Sequence, residues 1–439
     1  MPTFTIRTLG CKVNQFESEA VAGLLTAVGW KQITDGPADL YIVNTCAVTG
    51  RSAGESRQYL RHYRRENPGA VIIATGCYAT VAKADIDDMD CVDCIVSHAA
   101  KYKIPDMAAR LLRRPADDLP RSVEEGSAGE MFACFSTMPV QGSRTRPVMK
   151  IQDGCNAFCA YCIVPYARGR SVSMSLEQVL AGIGQFSAAG YPEVVLTGVH
   201  LGAWGLDLTP SLTLYRLLER IDTAAVIDRV RLSSIEPGEI SDEIIDLAVR
   251  SRHICHHFHI PLQSGCDEIL SRMGRPYTAA FFKDRVEKIK TGLPDAAIGV
   301  DVLVGFPGED DRAFERTLTL LDGMPVGYLH VFPFSPRPGT PAAGFPDPVK
   351  PGTIRERSRL LRQLAETKRA AFCLEQREKA FTVRMEDKRD RATGYLKGVT
   401  SNYLTVLVDG DDTLMNQDVV VRVGPRVEGL RVRGKVLSG

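Results

Sequence analysis

The sequence predicts an α/β protein with three parts: an N-terminal doubly wound parallel sheet, a central partial TIM-like (β/α)6 barrel and a small antiparallel β-barrel at the C terminus. Near-continuous apolar strands alternate with helices over roughly the first 95 residues, as in a parallel sheet that is covered on both faces. Six further strand–helix alternations lie between residues 147 and 342, which indicates a curved parallel sheet. Short strands separated by turns follow at the end of the chain.

The N-terminal part, residues 1–103, has three strand candidates and two helix candidates. These are the strands FTIRTLG, ADLYIVNTC and AVIIATGC and the helices ESEAVAGLLTAVG and GESRQYLRHYRRENPG. Cys11, Cys46 and Cys77 each lie just past the carboxyl end of one strand. These ends share one edge of a parallel sheet, where ligand sites of open α/β folds form, so we expect the three thiols to meet at one metal site. Any one of them alone is better explained as a buried structural cysteine.

The central part is a predicted barrel over residues 147–372, preceded by a polar linker over residues 104–146 that contains RRPADDLPRSVEEGSAGE. Its six strand candidates are VMKIQDG, EVVLTGVHL, VIDRVRLSSIEP, HHFHIPLQSG, AIGVDVLVGFPG and GYLHVFPFSP. Helical patterns between them include LEQVLAGIGQFSAAG, DEIIDLAVRS, AAFFKDRVEKIK and RAFERTLTLLDGM. In such barrels the functional groups lie at the carboxyl ends of the strands.

The C-terminal part, residues 373–439, follows the Arg-rich helical run IRERSRLLRQLAETKRAAFCLEQREKA. Its predicted strands are FTVRME, GYLKGVT, YLTVLV, VVVRV and LRVRGKVL. Residues 351–439 hold 18 Lys and Arg against 12 Asp and Glu, so this region is basic while the rest of the chain is slightly acidic. A basic region of this kind is typical of a partner of polyanions, and equally of a solvated surface.

The composition is that of an ordinary globular protein, with 44% hydrophobic and 24% charged residues. We find no apolar run long enough to cross a bilayer and no secretory signal at the start, so we expect a cytoplasmic protein without membrane contact. Twelve cysteines in a reducing compartment indicate metal ligands or redox chemistry rather than disulfides.

The most specific motif is the C-x3-C-x2-C formed by Cys155, Cys159 and Cys162, directly after the first predicted barrel strand. A [4Fe–4S] cluster has four irons, and three thiolates leave one iron open. This arrangement resembles the radical S-adenosylmethionine (SAM) superfamily, where the open iron chelates SAM and electron transfer cleaves its sulfonium bond. A zinc site would more usually have paired C-x2-C elements.

The resemblance to this superfamily also implies a SAM pocket at the carboxyl ends of the barrel strands. It places Tyr161, the aromatic residue before the last cysteine, near the adenine. Candidates for the other contacts lie at later strand ends: Thr197 and Gly198, Ser234 and Glu236, Gln263, and the backbone from Gly305 to Gly308. Each of these is equally well explained as a turn at the barrel mouth.

Over essentially its whole length the chain resembles the methylthiotransferase family. The resemblance rests on LGCKVNQFES, NTCAVT and GCYA, then on QDGCNAFCAYCIVPYARGR and VFPFSPRPGTPA, in this order. The stretch LTGVHLGAWG is similar to the branch that acts on N6-threonylcarbamoyladenosine beside the tRNA anticodon. The final barrel resembles the family's TRAM domain, an RNA-binding or substrate-positioning module.

The family resemblance implies a second [4Fe–4S] cluster on Cys11, Cys46 and Cys77, whose open iron carries the sulfur to be inserted. One SAM would methylate this sulfur, and a second would give the radical that abstracts hydrogen from C2 of the adenine at position 37. The implied partners are the tRNA anticodon stem-loop and an electron donor such as flavodoxin or ferredoxin. For tRNA binding we expect phosphate contacts from the terminal barrel and from Arg355, Arg359, Arg362 and Arg369 of the preceding helix, and weaker binding after deletion of residues 381–439.

Two alternatives remain open from the sequence. Related branches act on isopentenyladenosine in tRNA or on an aspartate of a ribosomal protein, and a non-catalytic RNA-binding protein with structural clusters belongs to another class. The chain also departs from the family pattern: Met174 stands where a second arginine often follows the RGR sequence. Cys91 and Cys94 are interpreted as buried strand thiols, and a metal site among His253, His256, His257 and His259 is not favoured.

Overall fold

The computed structural model describes residues 1–113, 121–136 and 145–437. The N-terminal part is a six-stranded, all-parallel sheet in the order β2-β1-β3-β4-β5-β6. Its strands are β1 (Thr3–Thr8), β2 (Lys31–Gln32), β3 (Leu40–Thr45), β4 (Val71–Gly76), β5 (Cys94–Val96) and β6 (Ser122–Val123). The three predicted strands are confirmed as β1, β3 and β4, and three short strands extend the sheet.

Helices cover both faces of this sheet. They are α1 (Lys12–Ala27), α2 (Gly50–Glu66), α3 (Cys77–Val81), α4 (Lys83–Asp87), α5 (Ile104–Arg113) and α6 (Ala128–Ser136). Strand residues alternate between two cores: Leu40 and Ile42 pack with α1 and α5, whereas Tyr41 and Val43 pack with α2 and α3. This two-sided burial explains the near-continuous apolar strands and confirms the doubly wound arrangement.

The prediction of a linker over residues 104–146 is wrong for the residues that the structure describes. Helix α5 begins at Ile104, β6 pairs in parallel with β5, and α6 packs its apolar residues onto the sheet. Each helix has a buried apolar face, formed by Met107 and Leu111 in α5 and by Met131 and Phe135 in α6. Residues 114–120 and 137–144 lie outside the described residues.

The central part contains the six predicted parallel strands. They are β7 (Val148–Lys150), β10 (Glu193–Thr197), β11 (Arg229–Leu232), β12 (His257–Gln263), β13 (Ala297–Val304) and β14 (Tyr328–Pro333). The strands form two three-stranded sheets, β11-β10-β7 and β12-β13-β14, and isolated bridges from Val230 to Ile254 and from Ser234 to His259 join them. The result is an open, curved sheet of six parallel strands, as predicted. The short strands β8 (Gln152–Asp153) and β9 (Val172–Ser173) pair beside it.

Eight helices of the described residues accompany this sheet. They are α7 (Val164–Arg168), α8 (Leu176–Ala188), α9 (Leu214–Ala224), α10 (Asp242–Arg250), α11 (Asp267–Arg272), α12 (Ala279–Gly292), α13 (Asp311–Gly323) and α14 (Pro351–Glu375). Side-chain caps fix several starts, as where Ser175 accepts a hydrogen bond from the backbone of Gln178 at α8 and Asp310 accepts one from Ala313 at α13. The main core lies between these helices and the outer face of the sheet.

The C-terminal part is a closed five-stranded barrel in the order β15-β16-β17-β19-β18. Its strands are β15 (Ala380–Arg389), β16 (Leu396–Thr400), β17 (Thr405–Val408), β18 (Asp418–Glu428) and β19 (Arg431–Val436). The predicted small barrel is confirmed, although β17 and β19 pair in parallel and only the other pairs are antiparallel.

The turn between β16 and β17 docks onto the amino-terminal end of the central strands. Arg231, which is buried, donates hydrogen bonds to the carbonyl oxygens of Thr400 and Ser401 at 3.1 and 2.9 Å. Arg369 of α14 donates to the carbonyl of Tyr403 at 3.1 Å. The small barrel is therefore fixed to the central part by buried contacts. Among the described residues, no helix has both the length and the apolar character needed to cross a bilayer.

Candidate functional site

Three of the six candidate cysteines directly follow a glycine with positive φ at the carboxyl edge of a sheet. Gly10, Gly76 and Gly154 have φ values of 92°, 93° and 69°, and they precede Cys11, Cys77 and Cys155. A Cβ at Gly10 would lie 2.7 Å from Cys46 Sγ, and one at Gly154 would lie 1.9 Å from the carbonyl oxygen of Arg170. Only glycine fits these positions, and it lets the chain bring the cysteines close to the neighbouring loops.

The structure brings Cys11, Cys46 and Cys77 to one edge of the N-terminal sheet. Cys11 caps the start of α1, Cys46 follows β3, and Cys77 begins α3 after β4. Burial raises the pKa of the Cys46 and Cys77 thiols, and the negative charges of the neighbouring thiolates raise it further. Cys46 and Cys77 are buried while Cys11 is exposed, so one side of the site is open. Thiols so placed need a bound cation to ionise, which fits a metal-ligand set.

Cys155, Cys159 and Cys162 share the loop between β8 and α7 at the carboxyl edge of the central sheet. The loop is pinned by backbone hydrogen bonds from Cys155 to Gly169 at 3.0 Å and from Cys162 to Cys159 at 2.9 Å. Burial, with the charges of the other two thiols, raises the pKa of Cys162 to about 12. This set also fits metal ligands, because thiolates this close are stable only when a cation binds them.

His200 stands behind Cys155. Its Nδ1 lies 3.5 Å from Cys155 Sγ, and its Nε2 lies 2.6 Å from Glu239 Oε1. Burial opposes the charged imidazolium, but the hydrogen bonds to Cys155 and Glu239 outweigh it and raise the pKa of His200 to about 10. An imidazolium in this position can donate a charge-assisted hydrogen bond to the Cys155 sulfur. The backbone N–H of His200 donates to Gln152 Oε1 at 2.8 Å, which fixes the loop that carries it.

Two of the predicted SAM contacts, Tyr161 and Glu236, are joined by Arg275, which sequence reasoning missed. Arg275 Nη2 donates to the Tyr161 hydroxyl at 2.6 Å, and Nη1 lies 2.7 Å from Glu236 Oε1. Glu236 Oε2 is buried and has no hydrogen-bond partner among the described residues, and the same holds for Ser233 Oγ, three residues earlier at the end of β11. Buried polar atoms without partners are costly, so this pocket fits a polar ligand such as SAM.

The other predicted contacts lie at the same edge. Thr197 is the last residue of β10 and is buried, and a Cβ at Gly198 would lie 2.7 Å from Gln152 Oε1. Ser234 bridges to His259, and Gln263 ends β12 with a φ of 67°. Gly305 and Gly308 form a turn in which added Cβ atoms would meet Ile354 and Arg272 at 2.4 and 2.7 Å, so packing against these side chains accounts for both glycines.

A buried network of charged side chains lies between the two cysteine sets. Glu17 of α1 accepts a hydrogen bond from Lys150 at 2.7 Å and one from Lys101. Asp153 accepts from Lys150 at 2.9 Å and contacts His98 Nε2 at 2.7 Å. All five side chains are nearly inaccessible to solvent. The network joins the N-terminal part to the central part, since Lys150 and Asp153 belong to the latter.

Arg168 of α7 completes the network and links it to a candidate ligand. Its Nε donates to Cys77 Sγ at 3.2 Å, and its Nη1 donates to Glu17 and Asp153, both at 2.9 Å. Asp153 Oδ1 also accepts from the backbone of Gly154 at 2.9 Å, directly before Cys155. A short chain of contacts thus runs from one cysteine set to the other.

The charge of this network fits an anionic group at Cys77. Burial lowers the pKa of His98 to about 4, so its imidazole is neutral at pH 7. Within the described residues the network then has three cations, Lys101, Lys150 and Arg168, and only the two carboxylates of Glu17 and Asp153. The excess positive charge is balanced when Cys77 is a thiolate or carries an anionic cluster, because a buried unpaired charge is strongly disfavoured.

Arg168 and His200 had sequence signals that were not used as such, whereas Arg275 had none. Arg168 lies in PYARGR, and His200 lies in LTGVHLG, both within motifs that had been singled out. Arg275 follows α11 and carries no local motif; only its contact with Tyr161, 114 positions away, reveals it.

Several expectations about other residues can be compared with the structure. Cys94 is fully buried in β5, as expected of a strand thiol, whereas Cys91 is half-buried and lies in the turn before β5. Met174 is buried in the main core, so position 174 does not face the site. The expectation that Arg369 contacts phosphates is wrong, because Arg369 is buried against Tyr403, whereas Arg355, Arg359 and Arg362 are exposed.

The four histidines around β12 do not converge. His259 instead meets two residues from other strands: its Nε2 lies 2.7 Å from Asp301, which lies 3.3 Å from His330 Nδ1. Hydrogen bonds from both histidines overcome burial and lower the pKa of Asp301 to about 2. The ligand atoms of these three residues lie within 4.8 Å of one another, although hydrogen bonds within the group already satisfy the carboxylate.

Comparison with known sequences gives a consistent result. Residues 3–97 match the uncharacterized protein family UPF0004, and residues 149–321 match the radical SAM superfamily. The chain is 37% identical to the threonylcarbamoyladenosine tRNA methylthiotransferase MtaB of Bacillus subtilis, over 96% of this chain and 94% of that protein. It is 37% identical to the corresponding protein of Thermotoga maritima, over 83% and 82%. Identity to the tRNA-2-methylthio-N(6)-dimethylallyladenosine synthase of Pelotomaculum thermopropionicum is 31%, over 96% and 95%.

Comparison with solved structures shows the same fold at much lower identity. The radical SAM methyltransferase TsrM of Kitasatospora setae, with cobalamin and a [4Fe–4S] cluster bound, matches with a TM-score of 0.55 and 16% identity, over 78% of this chain and 77% of that one. The conserved architecture and the near full-length relatives lead to one conclusion: the chain belongs to the radical S-adenosylmethionine methylthiotransferase family.

Proposed function

We propose that this protein inserts a methylthio group at C2 of N6-threonylcarbamoyladenosine at position 37 of tRNA, with SAM as both methyl donor and radical source. The observation that carries the proposal is the pair of three-cysteine sets at two sheet edges, joined through Arg168 and Asp153. Two such sets match a reaction that needs one site to generate a radical and another to hold the sulfur. The relatives that share most of the chain at 35–38% identity are named for this substrate.

The protein uses two [4Fe–4S] clusters and SAM. We assign Cys155, Cys159 and Cys162 as the ligands of one cluster and Cys11, Cys46 and Cys77 as those of the other. When bound, the first supplies the electron that cleaves SAM for removal of hydrogen from C2, and the second carries the sulfur. Three thiolates per set leave one iron open in each case.

The remaining roles belong to the chain's own side chains. Tyr161, Arg275 and Glu236 would orient SAM, with the unpartnered Glu236 Oε2 available to its ammonium group. Thr197, Gly198, Ser234 and Gln263 would shape the same pocket at neighbouring strand ends. His200 would donate a hydrogen bond from its imidazolium to the Cys155 sulfur. The network around Glu17 excludes water between the two sites, because all its members are buried.

The tRNA backbone would be bound by exposed cations of α14 and of the C-terminal barrel. Arg355 and Arg362 are exposed, whereas Arg359 forms a surface ion pair with Glu356. Arg422 and Lys435 are exposed cations on β18 and β19. If these residues neutralise phosphates, the affinity for tRNA falls steeply as salt rises, and each Ala substitution lowers the salt slope by about one. We further propose a flavodoxin or ferredoxin as reductant and the cytoplasm as the site of action.

For the boundaries of the parts we propose residues 1–136, 147–372 and 373–439, since α5, β6 and α6 pack on the N-terminal sheet. This division replaces the linker expected from the sequence.

Nucleoside analysis tests the proposed function. A strain that lacks its own enzyme would be complemented with the wild-type gene, with Cys77→Ala and with Cys91→Ala as a matched control outside the site. We expect methylthiolated threonylcarbamoyladenosine with the wild type and the control and none with Cys77→Ala. Methylthiolated isopentenyladenosine instead would move the protein to the related branch. If neither product forms, and the purified protein with its clusters yields no 5′-deoxyadenosine from SAM, a non-catalytic RNA-binding role is correct.

A further inference from the structure

Two pairs of aromatic rings are exposed at the mouth of the central sheet. Phe158 and Tyr166 meet edge to face, with ring centroids 5.7 Å apart, and 46% and 47% of their surfaces are exposed. His330 and Phe332 form a second edge-to-face pair at 6.3 Å, with 50% of the His330 side chain and 42% of Phe332 exposed. Two exposed rings in contact make a contiguous apolar surface, and such a surface marks a candidate site of ligand contact.

Both pairs belong to segments at the carboxyl edge of the central sheet. Phe158 is inside the loop that carries Cys155 and Cys159, and Tyr166 is in α7, which follows this loop. On β14, Leu329 and Val331 pack into the core, so the alternate residues His330 and Phe332 face the opposite, inner side of the curved sheet. Phe332 is next to the last residue of the strand and therefore lies at the carboxyl edge.

The backbone of Phe158 supports a functional reason for its exposure. Its φ is 46°, in the left-handed region that bulky residues rarely adopt. Strain of this kind persists where it serves a site, and here it directs an apolar ring towards solvent.

The inner rings continue into a ladder below the mouth. His330 lies 5.0 Å from His259 and 5.2 Å from Tyr328, and Tyr328 lies 5.9 Å from Tyr403 of the C-terminal barrel, all between ring centroids. The ladder holds the exposed pair in place from behind. Gly50, which starts α2 near Cys46, donates to Ser335 Oγ at 3.1 Å, so the segment after β14 also adjoins the N-terminal cysteine edge.

We propose that these two ring pairs are stacking sites for unpaired nucleobases of the RNA substrate, with the target base on His330 and Phe332 and a neighbouring base on Phe158 and Tyr166. Single-stranded bases bind by stacking on aromatic rings, and enzymes that modify a base take it out of its own stack. The inner pair receives the target base because Phe332 lies at the carboxyl edge of the central sheet and the segment after β14 adjoins Gly50 near Cys46. This inference rests on the proposed function and adds to it the residues that hold the bases.

The test measures the affinity of reconstituted full-length protein for an anticodon stem-loop RNA with a fluorescent label at its 5′ end. Phe332→Leu and Tyr166→Leu keep apolar surface but remove the ring. We expect each to raise the Kd by about 5- to 150-fold, which corresponds to about 1–3 kcal/mol per stacked base. The slope of affinity against salt should stay unchanged, since stacking releases no counterions. Phe281→Leu, an exposed ring on the outer helix α12, is the matched control and should bind like the wild type.

The outcomes separate the two proposals. If the wild type binds the stem-loop and both variants bind equally well, the stacking sites are refuted while the proposed function stands. A wild type that does not bind the stem-loop refutes the proposed function itself. If the variants keep RNA affinity but lose affinity for flavodoxin, the rings form a protein-docking surface and the inference is wrong. Iron content measured on each variant shows that the fold is intact, and the two variants test the two pairs independently.

Discussion

Replacement of Glu17 by Gln tests whether the buried network holds the N-terminal part to the central part. Glu17 is fully buried, and its carboxylate receives hydrogen bonds from Lys101, Lys150 and Arg168. Burial alone would raise its pKa, but Arg168, Lys101 and Lys150 hold the pKa of Glu17 well below its usual range. Glutamine has the same shape, but its side chain carries no charge, and its NH2 group would face the N–H donors of the three cations.

The magnitude follows from what the change leaves behind. Three buried cations would face the single carboxylate of Asp153, and removal of one partner from a buried ion pair costs about 3–5 kcal/mol. Native-state hydrogen exchange on the β1, α1 and β7 amides measures this loss locally. Exchange should accelerate by about 150- to 4000-fold if these amides open together, since 1.4 kcal/mol is a factor of ten.

The matched control is Glu55→Gln on α2. Glu55 pairs with Arg51 at 2.9 Å, but the Arg51 side chain is 88% exposed, so the loss should stay below about 1 kcal/mol. Acceleration of less than about fivefold in the Glu17→Gln protein would show that the network contributes little to the interface. The same acceleration in both variants would show that the effect is not specific to burial.

Three further predictions follow from the same contacts. Reconstituted protein should bind about eight irons, and the triple Ala variant of Cys155, Cys159 and Cys162 should bind about four. A result of about four irons in the wild type and none in the variant would refute a cluster at Cys77. Arg168→Met should make the potential of the cluster at Cys77 more negative, because a cation and an N–H donor to sulfur both raise it, whereas the buried control Arg229→Lys should leave it unchanged in a spectroelectrochemical titration. The pKa of His98 is about 4 in the folded protein, because of burial, and about 6.5 in the unfolded chain. The contribution of neutral His98 to the free energy of unfolding is therefore complete above pH 6.5 and is lost as the pH falls towards 4. Between pH 6.5 and 4.5 this amounts to about 2–3 kcal/mol in urea unfolding, with Asp153, Glu17 and Arg168 as the facing charges, and an equal slope in His98→Asn would contradict it.

The strands and the cysteine positions were predictable because they depend on local pattern. Every residue of the runs YIVNT and VIIATG is buried, because helices cover both faces of the sheet. A strand of this kind therefore has a continuous apolar pattern that can be recognised in the sequence. The carboxyl-edge rule then places Cys11, Cys46 and Cys77 together without any knowledge of side-chain geometry.

The remaining features depend on contacts between distant positions. Arg168 and Cys77 are 91 residues apart, and no periodicity connects them. Helix α14 carries arginines on several faces, and the sequence does not reveal that Arg369 points under the small barrel while Arg362 points to solvent. The linker was mistaken for the same reason, since the buried face of α5 and α6 is visible only beside the sheet that covers it.

The buried contacts of the turn between β16 and β17 have a consequence for how the protein selects its substrate. Because Arg231 and Arg369 hold Thr400, Ser401 and Tyr403 through buried hydrogen bonds, the barrel cannot swing relative to the cysteine loops without breaking them. The exposed cations of β18 and β19 therefore lie at a fixed distance from the carboxyl edge of the central sheet. If these cations bind phosphates, as proposed, this fixed distance selects RNAs whose shape brings a base to the cysteines, and removal of residues 381–439 abolishes the selection.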